Sequence, residues 1–137
     1  MTIVDTGPIV ALINPRDQHH QWARTAIRQI NEPMLTCDAV LSEAFFLVSG
    51  VPNGIRRFTE MLASGAIQSD FATAANVREL ASLIQTYQSL PISFADACLV
   101  RLAELHDGAT ILTADSHFHV YRKNGSNPLS LMIPGQL

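Results

Sequence analysis

The first eight residues constrain the fold more than any other stretch of this chain. Thr2–Val4 are β-forming residues, and Asp5 follows them directly. Pro8 then opens an apolar run over 9–13, and Thr6 and Pro8 are residue types suited to the cap and the first turn of a helix. A strand that passes straight into a helix through a carboxylate places that carboxylate at the C-terminal edge of a sheet, where open α/β sheets bind their ligands.

The rest of the chain repeats this alternation of short strands and helices. Further helices are predicted over 18–30, 39–48, 52–64, 72–88 and 93–106, short strands over 34–37, 66–70, 109–113 and 129–133, and a loop over 124–128. Such alternation predicts a mainly parallel sheet between helical layers. We therefore expect an α/β fold, a three-layer α/β/α arrangement with a short, mainly parallel central sheet, in a single domain over 1–137.

The apolar patterns of two helices predict which of their side chains enter the core. The inward sets are Ile55, Phe58, Met61 and Leu62 in one helix and Val77, Leu80, Leu83 and Ile84 in the other. Hydrophobic residues make up 47% of the chain and charged residues 15%. This apolar composition indicates that a partner chain covers part of the surface.

Several function classes are disfavoured at this level. No apolar run approaches the roughly 20 residues of a membrane span, and the N-terminus lacks the basic and apolar layout of a signal peptide, so we expect a cytoplasmic protein. Cys37 and Cys98 lie in apolar segments and are predicted to be buried thiols rather than a disulfide. No Gly-rich phosphate loop or Gly-x-Ser-x-Gly motif occurs, so nucleotide hydrolysis by a P-loop and serine hydrolysis are not supported.

Two carboxylates interrupt helix faces that are otherwise fit for burial. The neighbours of Glu43 three and four positions away are Ala39, Val40, Phe46 and Leu47, and those of Asp96 include Ile92, Leu99 and Val100. A lone buried carboxylate is strongly disfavoured unless it is paired or binds a metal. For Asp96 a capping box with Ser93 is an alternative role that is compatible with a position in a cleft.

Two more carboxylates, Asp5 and Asp115, follow predicted strands, where each alone is typical of a turn or a helix cap. Two carboxylates about 5 Å apart at an effective dielectric constant near 20 repel by about 3 kcal/mol. Four in one cleft must therefore share protons or bind hard divalent cations. Oxygen ligands favour Mg²⁺ or Mn²⁺ over zinc, and such ions activate water and stabilise a transferring phosphoryl group.

The ordered set of motifs resembles the PIN-domain ribonucleases, in particular the VapC-type toxins of prokaryotic toxin–antitoxin pairs. The motifs are Ile3–Gly7, Ser42–Glu43, Phe94–Ala97 and Thr113–Phe118, and residues 17–26 resemble the second helix of that family. The resemblance spans nearly the whole chain. It implies a PIN-like nuclease domain over 1–137 that cleaves single-stranded or structured RNA by a metal-activated water, leaving a 5′-phosphate and a 3′-hydroxyl.

The resemblance also implies roles for particular residues and partners. The four acidic positions of the family match Asp5, Glu43, Asp96 and Asp115, of which the first three would hold the main Mg²⁺ or Mn²⁺ ion and the last would complete the site or assist a second ion. Thr6 and Thr113 would hydrogen-bond the ligands or the phosphate. Relatives commonly form homodimers and are inhibited by a cognate antitoxin whose peptide occupies the cleft.

Net charge and one departure from the family pattern bear on these expectations. The net charge is −3, with 12 acidic and nine basic residues, but neutralising four carboxylates at a metal leaves nine basic against eight acidic residues, which is compatible with an RNA partner. His117 stands where many relatives carry a further acid, so a tightly held second metal is not implied, although His117 could ligate one or contact phosphate.

Two other readings of the sequence stay open. The His117 replacement supports a catalytically inactive PIN-like module that binds protein or RNA. A phosphoacceptor receiver-type domain is less well supported, because such domains need an acidic pair near the start and a late lysine, whereas the only lysine is Lys123 in a predicted loop.

Overall fold

The computed structural model describes residues 1–135, so positions 136 and 137 of the predicted domain lie outside the described residues. The strands are β1 (Thr2–Val4), β2 (Met34–Thr36), β3 (Ile67–Ser69), β4 (Thr110–Leu112), β5 (Arg122–Lys123), β6 (Asn127–Pro128) and β7 (Ser130–Met132). The α-helices are α1 (Thr6–Ile13), α2 (His20–Arg28), α3 (Asp38–Val48), α4 (Gly54–Ala63), α5 (Val77–Thr86) and α6 (Phe94–Leu105), and two short 3₁₀ helices cover Thr73–Asn76 and Ser116–His119.

Five of the strands form one parallel sheet in the order β3-β2-β1-β4-β7. Ile3 in the central strand pairs with Leu35 on one side and Ile111 on the other. Successive side chains of a strand point to opposite faces, and Ile3 and Val4 are both fully buried. Both faces of the sheet are therefore covered, and the expected three-layer α/β/α fold is confirmed.

The remaining two strands form a small hairpin where the sequence indicates only a loop. β5 and β6 pair antiparallel, with Lys123 opposite Asn127. Asn124 and Gly125 have φ angles of 52° and 84°, the left-handed conformations of a tight hairpin turn. The hairpin directly follows the segment that carries Asp115.

Several predicted helix boundaries shift in the structure. α2 begins at His20, because the carboxylate of Asp17 accepts a hydrogen bond from the backbone N–H of His19 and forms a turn before the helix. The helix predicted over 72–88 is divided into the first 3₁₀ helix and α5. α4 begins only at Gly54, after Asn53 with a φ of 60°.

The predicted inward faces of α4 and α5 are only partly correct. Phe58 and Leu80 are buried as expected, but Ile55, Leu62 and Val77 are exposed. Apolar periodicity shows which residues share a helix face but not whether another element covers that face. Here part of the α4 surface and the first turn of α5 remain uncovered. Apolar side chains of both helices therefore remain on the surface.

The two thiols lie in the core as predicted, and neither is in a disulfide. The pKa of Cys98 is raised, first by its hydrogen bond to Cys37 and then by burial. None of the helices in the described part of the chain has the length and apolar character needed to cross a bilayer.

Candidate active site

Asp5 connects the central strand to the first helix and is the N-cap of α1. Its Oδ1 accepts a hydrogen bond from the backbone N–H of Thr6 at 2.7 Å, and its Oδ2 accepts one from the hydroxyl of Thr113 at 2.7 Å. The residue is only 7% exposed. Thr6, which the sequence indicated as a cap, is instead the first helical residue, because Asp5 has the extended backbone typical of an N-cap.

Thr113 and Asp115 lie at the end of the neighbouring strand β4. The backbone N–H of Asp115 donates to the Thr113 hydroxyl at 3.0 Å, so this one hydroxyl contacts both Asp5 and the Asp115 segment. Asp115 caps the second 3₁₀ helix by accepting from the backbone N–H of His117 at 2.9 Å. The His117 ring nitrogen Nδ1 lies 2.9 Å from the same Asp115 oxygen.

Asp96 lies in the first turn of α6, where the predicted cap is confirmed. The backbone N–H of Asp96 donates to the hydroxyl of Ser93 at 2.9 Å. The Asp96 carboxylate is buried, and its Oδ2 accepts a hydrogen bond from the hydroxyl of Tyr121 at 2.9 Å. Sequence reasoning missed Tyr121, since nothing in the local pattern around it indicates a partner 25 positions away.

Glu43 lies on a different face of its helix from the one predicted. The buried stripe of α3 consists of Val40, Ala44 and Val48, while Glu43 and the neighbouring Phe46 are exposed. The expectation of burial was therefore wrong, because α3 is apolar on nearly all sides and only one side meets the rest of the domain. Glu43 nevertheless faces the same pocket as the other three acids.

All four acids line one open pocket of about 610 Å³ at the C-terminal edge of the parallel sheet. Its other lining residues are Thr6, Gly7, Pro91, Ser93, Ala95, Ala114, Ser116 and His117. Thr113 is fully buried and lies behind the pocket, where its hydroxyl holds Asp5. The structure thus brings together the predicted acids, Thr6 and His117 from four separated parts of the chain.

Burial and mutual repulsion shift the pKa values of two of these carboxylates. The pKa of Asp5 is raised to about 6, mainly by burial and to a smaller extent by the charges of Asp96 and Asp115, while hydrogen bonds from Thr113 and Thr6 lower it in part. Burial also raises the pKa of Asp96, against hydrogen bonds from Tyr121 and Ser93. Because the three aspartates influence one another, a proton or a cation at this site relieves their repulsion.

The donors present fit a hydrated hard cation. Among residues 1–135 no three His, Cys, Asp or Glu side chains lie close enough together to hold a metal ion by themselves. Mg²⁺ typically keeps several waters and takes only one or two carboxylates directly. The four acids supply only oxygen donors, and the hydroxyl oxygen of Thr6 is buried without a hydrogen-bond partner among the described residues. This oxygen is available to a bound water, a cation or a phosphate.

Comparison with known proteins decides the family. The sequence-family model of the PIN domain matches residues 2–124, which include all four acids and His117. The chain belongs to the PIN domain family. This PIN domain is similar to ribonuclease VapC26 of Mycobacterium tuberculosis, with 28% identity over 134 residues that cover 95% of this chain and 98% of that relative.

A solved structure supports the fold of this PIN domain independently. The crystal structure of Mycobacterium tuberculosis VapC20, a toxin that cleaves the sarcin-ricin loop, matches with a TM-score of 0.68 at 20% identity. The match covers 81% of this chain and 87% of that structure. The expected resemblance to PIN-domain proteins of the VapC type is confirmed, whereas the roles of the individual pocket residues stay predictions.

Proposed function

We propose that this chain is an endoribonuclease dependent on Mg²⁺ or Mn²⁺ and the toxin of a toxin–antitoxin pair, with one nuclease domain over 1–137. The observation that carries the proposal is the convergence of four carboxylates in one pocket at the edge of the sheet. The names of the relatives support the reaction type, since one is a ribonuclease and the other an RNA-cleaving toxin. An RNA substrate also favours a location in the cytoplasm.

In this proposal Asp5, Glu43 and Asp96 hold the cation, directly or through its bound waters, and Asp115 completes the site. The chemistry supplied by the bound cation is activation of a water molecule and stabilisation of charge on the phosphoryl group. Thr113 orients Asp5 through its hydroxyl. The unpartnered hydroxyl of Thr6 donates to a ligand or to a phosphate oxygen, and His117 at the exposed rim contacts phosphate.

The test is cleavage of RNA by purified protein with and without Mn²⁺. Asp5→Asn and Asp96→Asn should each lower the cleavage rate by more than about 100-fold, since groups one step removed from a metal already account for 10- to 100-fold. Glu60→Gln is the control, because Glu60 is an exposed acid of α4 that does not line the pocket. Undiminished metal-dependent cleavage by both Asn variants would refute the proposal.

A second candidate function is a PIN domain that binds RNA or protein without cutting. The observation that favours it is the pairing of Asp115 with His117, at the position where many relatives carry another acid. Mn²⁺ titration followed by thermal unfolding separates the two candidates, because a ligand that binds only the folded state raises its stability. A binding module without a metal site shows no such rise.

We also propose a homodimer in which a second copy covers exposed apolar side chains of α3 and α4. Phe45 packs on the buried Phe58 of α4 with ring centroids 5.7 Å apart, and Ile55 and Leu62 lie exposed on α4. Light scattering should give a dimer mass for the unaltered chain and a monomer mass for Ile55→Glu and Leu62→Glu. A monomeric unaltered chain would contradict this assembly.

The proposed antitoxin contacts a different face of α3, beside the pocket. Glu43, Phe46 and Leu47 are spaced to share one helix face, and Phe46 is 74% exposed. A partner segment with a Lys or Arg side chain would complement the acidic pocket while its apolar side chains cover Phe46. Binding of the protein encoded by an adjacent small reading frame should be weakened by Phe46→Glu and retained by Ile55→Glu.

A further inference from the structure

Tyr121 is a buried polar residue that the proposed reaction leaves without a role. It is 1% exposed, and its hydroxyl donates to Oδ2 of Asp96 at 2.9 Å. Its ring packs edge-on against Phe118 and against Tyr87, with centroids 5.2 Å apart in each case. Two aromatic neighbours therefore hold the ring in place, so the hydroxyl is presented to the carboxylate in a fixed direction.

Two different parts of the chain therefore hold Asp96, one through its backbone and the other through its carboxylate. At the helix start, Ser93 caps the backbone N–H of Asp96. From the interior of the domain, Tyr121 fixes one carboxylate oxygen. Groups that hydrogen-bond a ligand from behind orient it toward a metal and tune its affinity.

We propose that Tyr121 is a positioning residue for metal binding: its hydroxyl holds the Asp96 carboxylate in the orientation in which it takes the divalent cation. This inference rests on the proposed metal-dependent function. It extends that function to a residue that does not line the pocket.

The same residue also connects Asp96 to the Asp115 segment. Asp115 caps the short helix Ser116–His119, and the backbone N–H of Tyr121 donates to the carbonyl oxygen of His117 at 3.4 Å. The Tyr121 hydroxyl contact therefore links α6 to the segment after β4. Loss of that contact frees Asp96 relative to Asp115 without removing either carboxylate.

The experiment compares Tyr121→Phe with Tyr87→Phe. Both variants keep the aromatic ring and lose one hydroxyl, but the hydroxyl of Tyr87 accepts from the backbone N–H of Arg122 at 2.8 Å and does not touch a carboxylate. Mn²⁺ affinity is measured by calorimetry on each full-length variant, together with thermal unfolding in the absence of Mn²⁺. kcat and KM for RNA cleavage are measured over a range of Mn²⁺ concentrations.

Tyr121→Phe should bind Mn²⁺ about 10- to 100-fold more weakly, with an unchanged KM for RNA and a kcat that recovers at high Mn²⁺. Tyr87→Phe should bind Mn²⁺ as the unaltered chain does. Undiminished Mn²⁺ affinity in Tyr121→Phe, or an equal loss in Tyr87→Phe, would overturn the positioning role while leaving the proposed function intact. Failure of the unaltered chain to bind Mn²⁺ would contradict both.

Discussion

The hydroxyl of Thr113 donates to Oδ2 of Asp5 at 2.7 Å, although 108 positions separate the two residues in the sequence. The contact exists because β1 and β4 are adjacent parallel strands, so that both residues emerge at the same edge. The same hydroxyl accepts from the backbone N–H of Asp115. Thr113 therefore links two of the four acids directly behind the pocket.

Removal of that hydroxyl should raise the pKa of Asp5 above its value of about 6. A hydrogen bond to a carboxylate favours its ionised form, so Thr113→Val takes away a contribution that lowers the pKa. Titration of the Asp5 carboxyl carbon by NMR measures the effect, with Thr113→Ser as the variant that keeps the hydroxyl. An Asp5 pKa that is the same in the Val and Ser variants would contradict the assigned contact.

Asp5→Asn should stabilise the metal-free protein at neutral pH but not in acid. The folded-state pKa of Asp5 is raised from 3.8 to about 6, so its favourable contribution is present at low pH and is lost as the pH rises through that interval. Above about pH 6 the ionised Asp5 carboxylate lowers the free energy of unfolding by about 3 kcal/mol. Denaturant unfolding at about pH 4 and about pH 7.5 should show a gain for Asp5→Asn only at the higher pH.

An Asp5→Asn variant that is less stable than the unaltered chain by the same amount at both pH values would contradict the raised pKa. In that case the lost interaction would be a hydrogen bond that does not depend on ionisation.

Mn²⁺ affinity should rise with pH across the Asp5 pKa of about 6. A protonated carboxyl must lose its proton before it can bind a cation, so protons compete with the metal. Calorimetry below and above that pKa should therefore show weaker binding in acid and proton release on binding in the transition region. Equal affinity on both sides of the pKa would indicate that Asp5 is not a ligand.

Gly54→Ala should destabilise the protein, whereas Gly50→Ala should not. A Cβ atom at Gly54 would overlap the backbone carbonyl oxygen of Val48 at the turn between α3 and α4, while one at Gly50 would meet nothing within 4 Å. Forcing an extra carbon into such a site typically costs about 1–3 kcal/mol. Thermal unfolding of the two variants measures the difference, and equal stability would contradict the close approach of the two helices.

The sequence predicted the parallel sheet and the position of Asp5 and Asp115, because both follow from strands that end at a carboxylate. It predicted the Ser93 cap of Asp96 for a similar reason, since capping depends on residues three positions apart. Features of this kind can be predicted from the sequence, because they depend on residues a few positions apart and little on how the rest of the chain packs.

Other features depend on contacts that no local pattern encodes. Glu43 was expected in the core because α3 carries apolar residues on most of its circumference, and only the packed structure separates the side that meets the domain from the side that bears Phe46. Tyr121 reaches Asp96 only because a short 3₁₀ helix and two aromatic neighbours set its position.

If carboxylates from separate parts of this chain share one divalent cation, crystals soaked in Mn²⁺ should show that cation in the pocket. Anomalous diffraction should show a manganese peak inside the pocket at coordinating distance from Asp5 and Asp96, and the peak should be absent in Asp96→Asn crystals. A pocket without manganese at a concentration that supports RNA cleavage, or manganese bound only elsewhere, would contradict a metal site shared by these carboxylates.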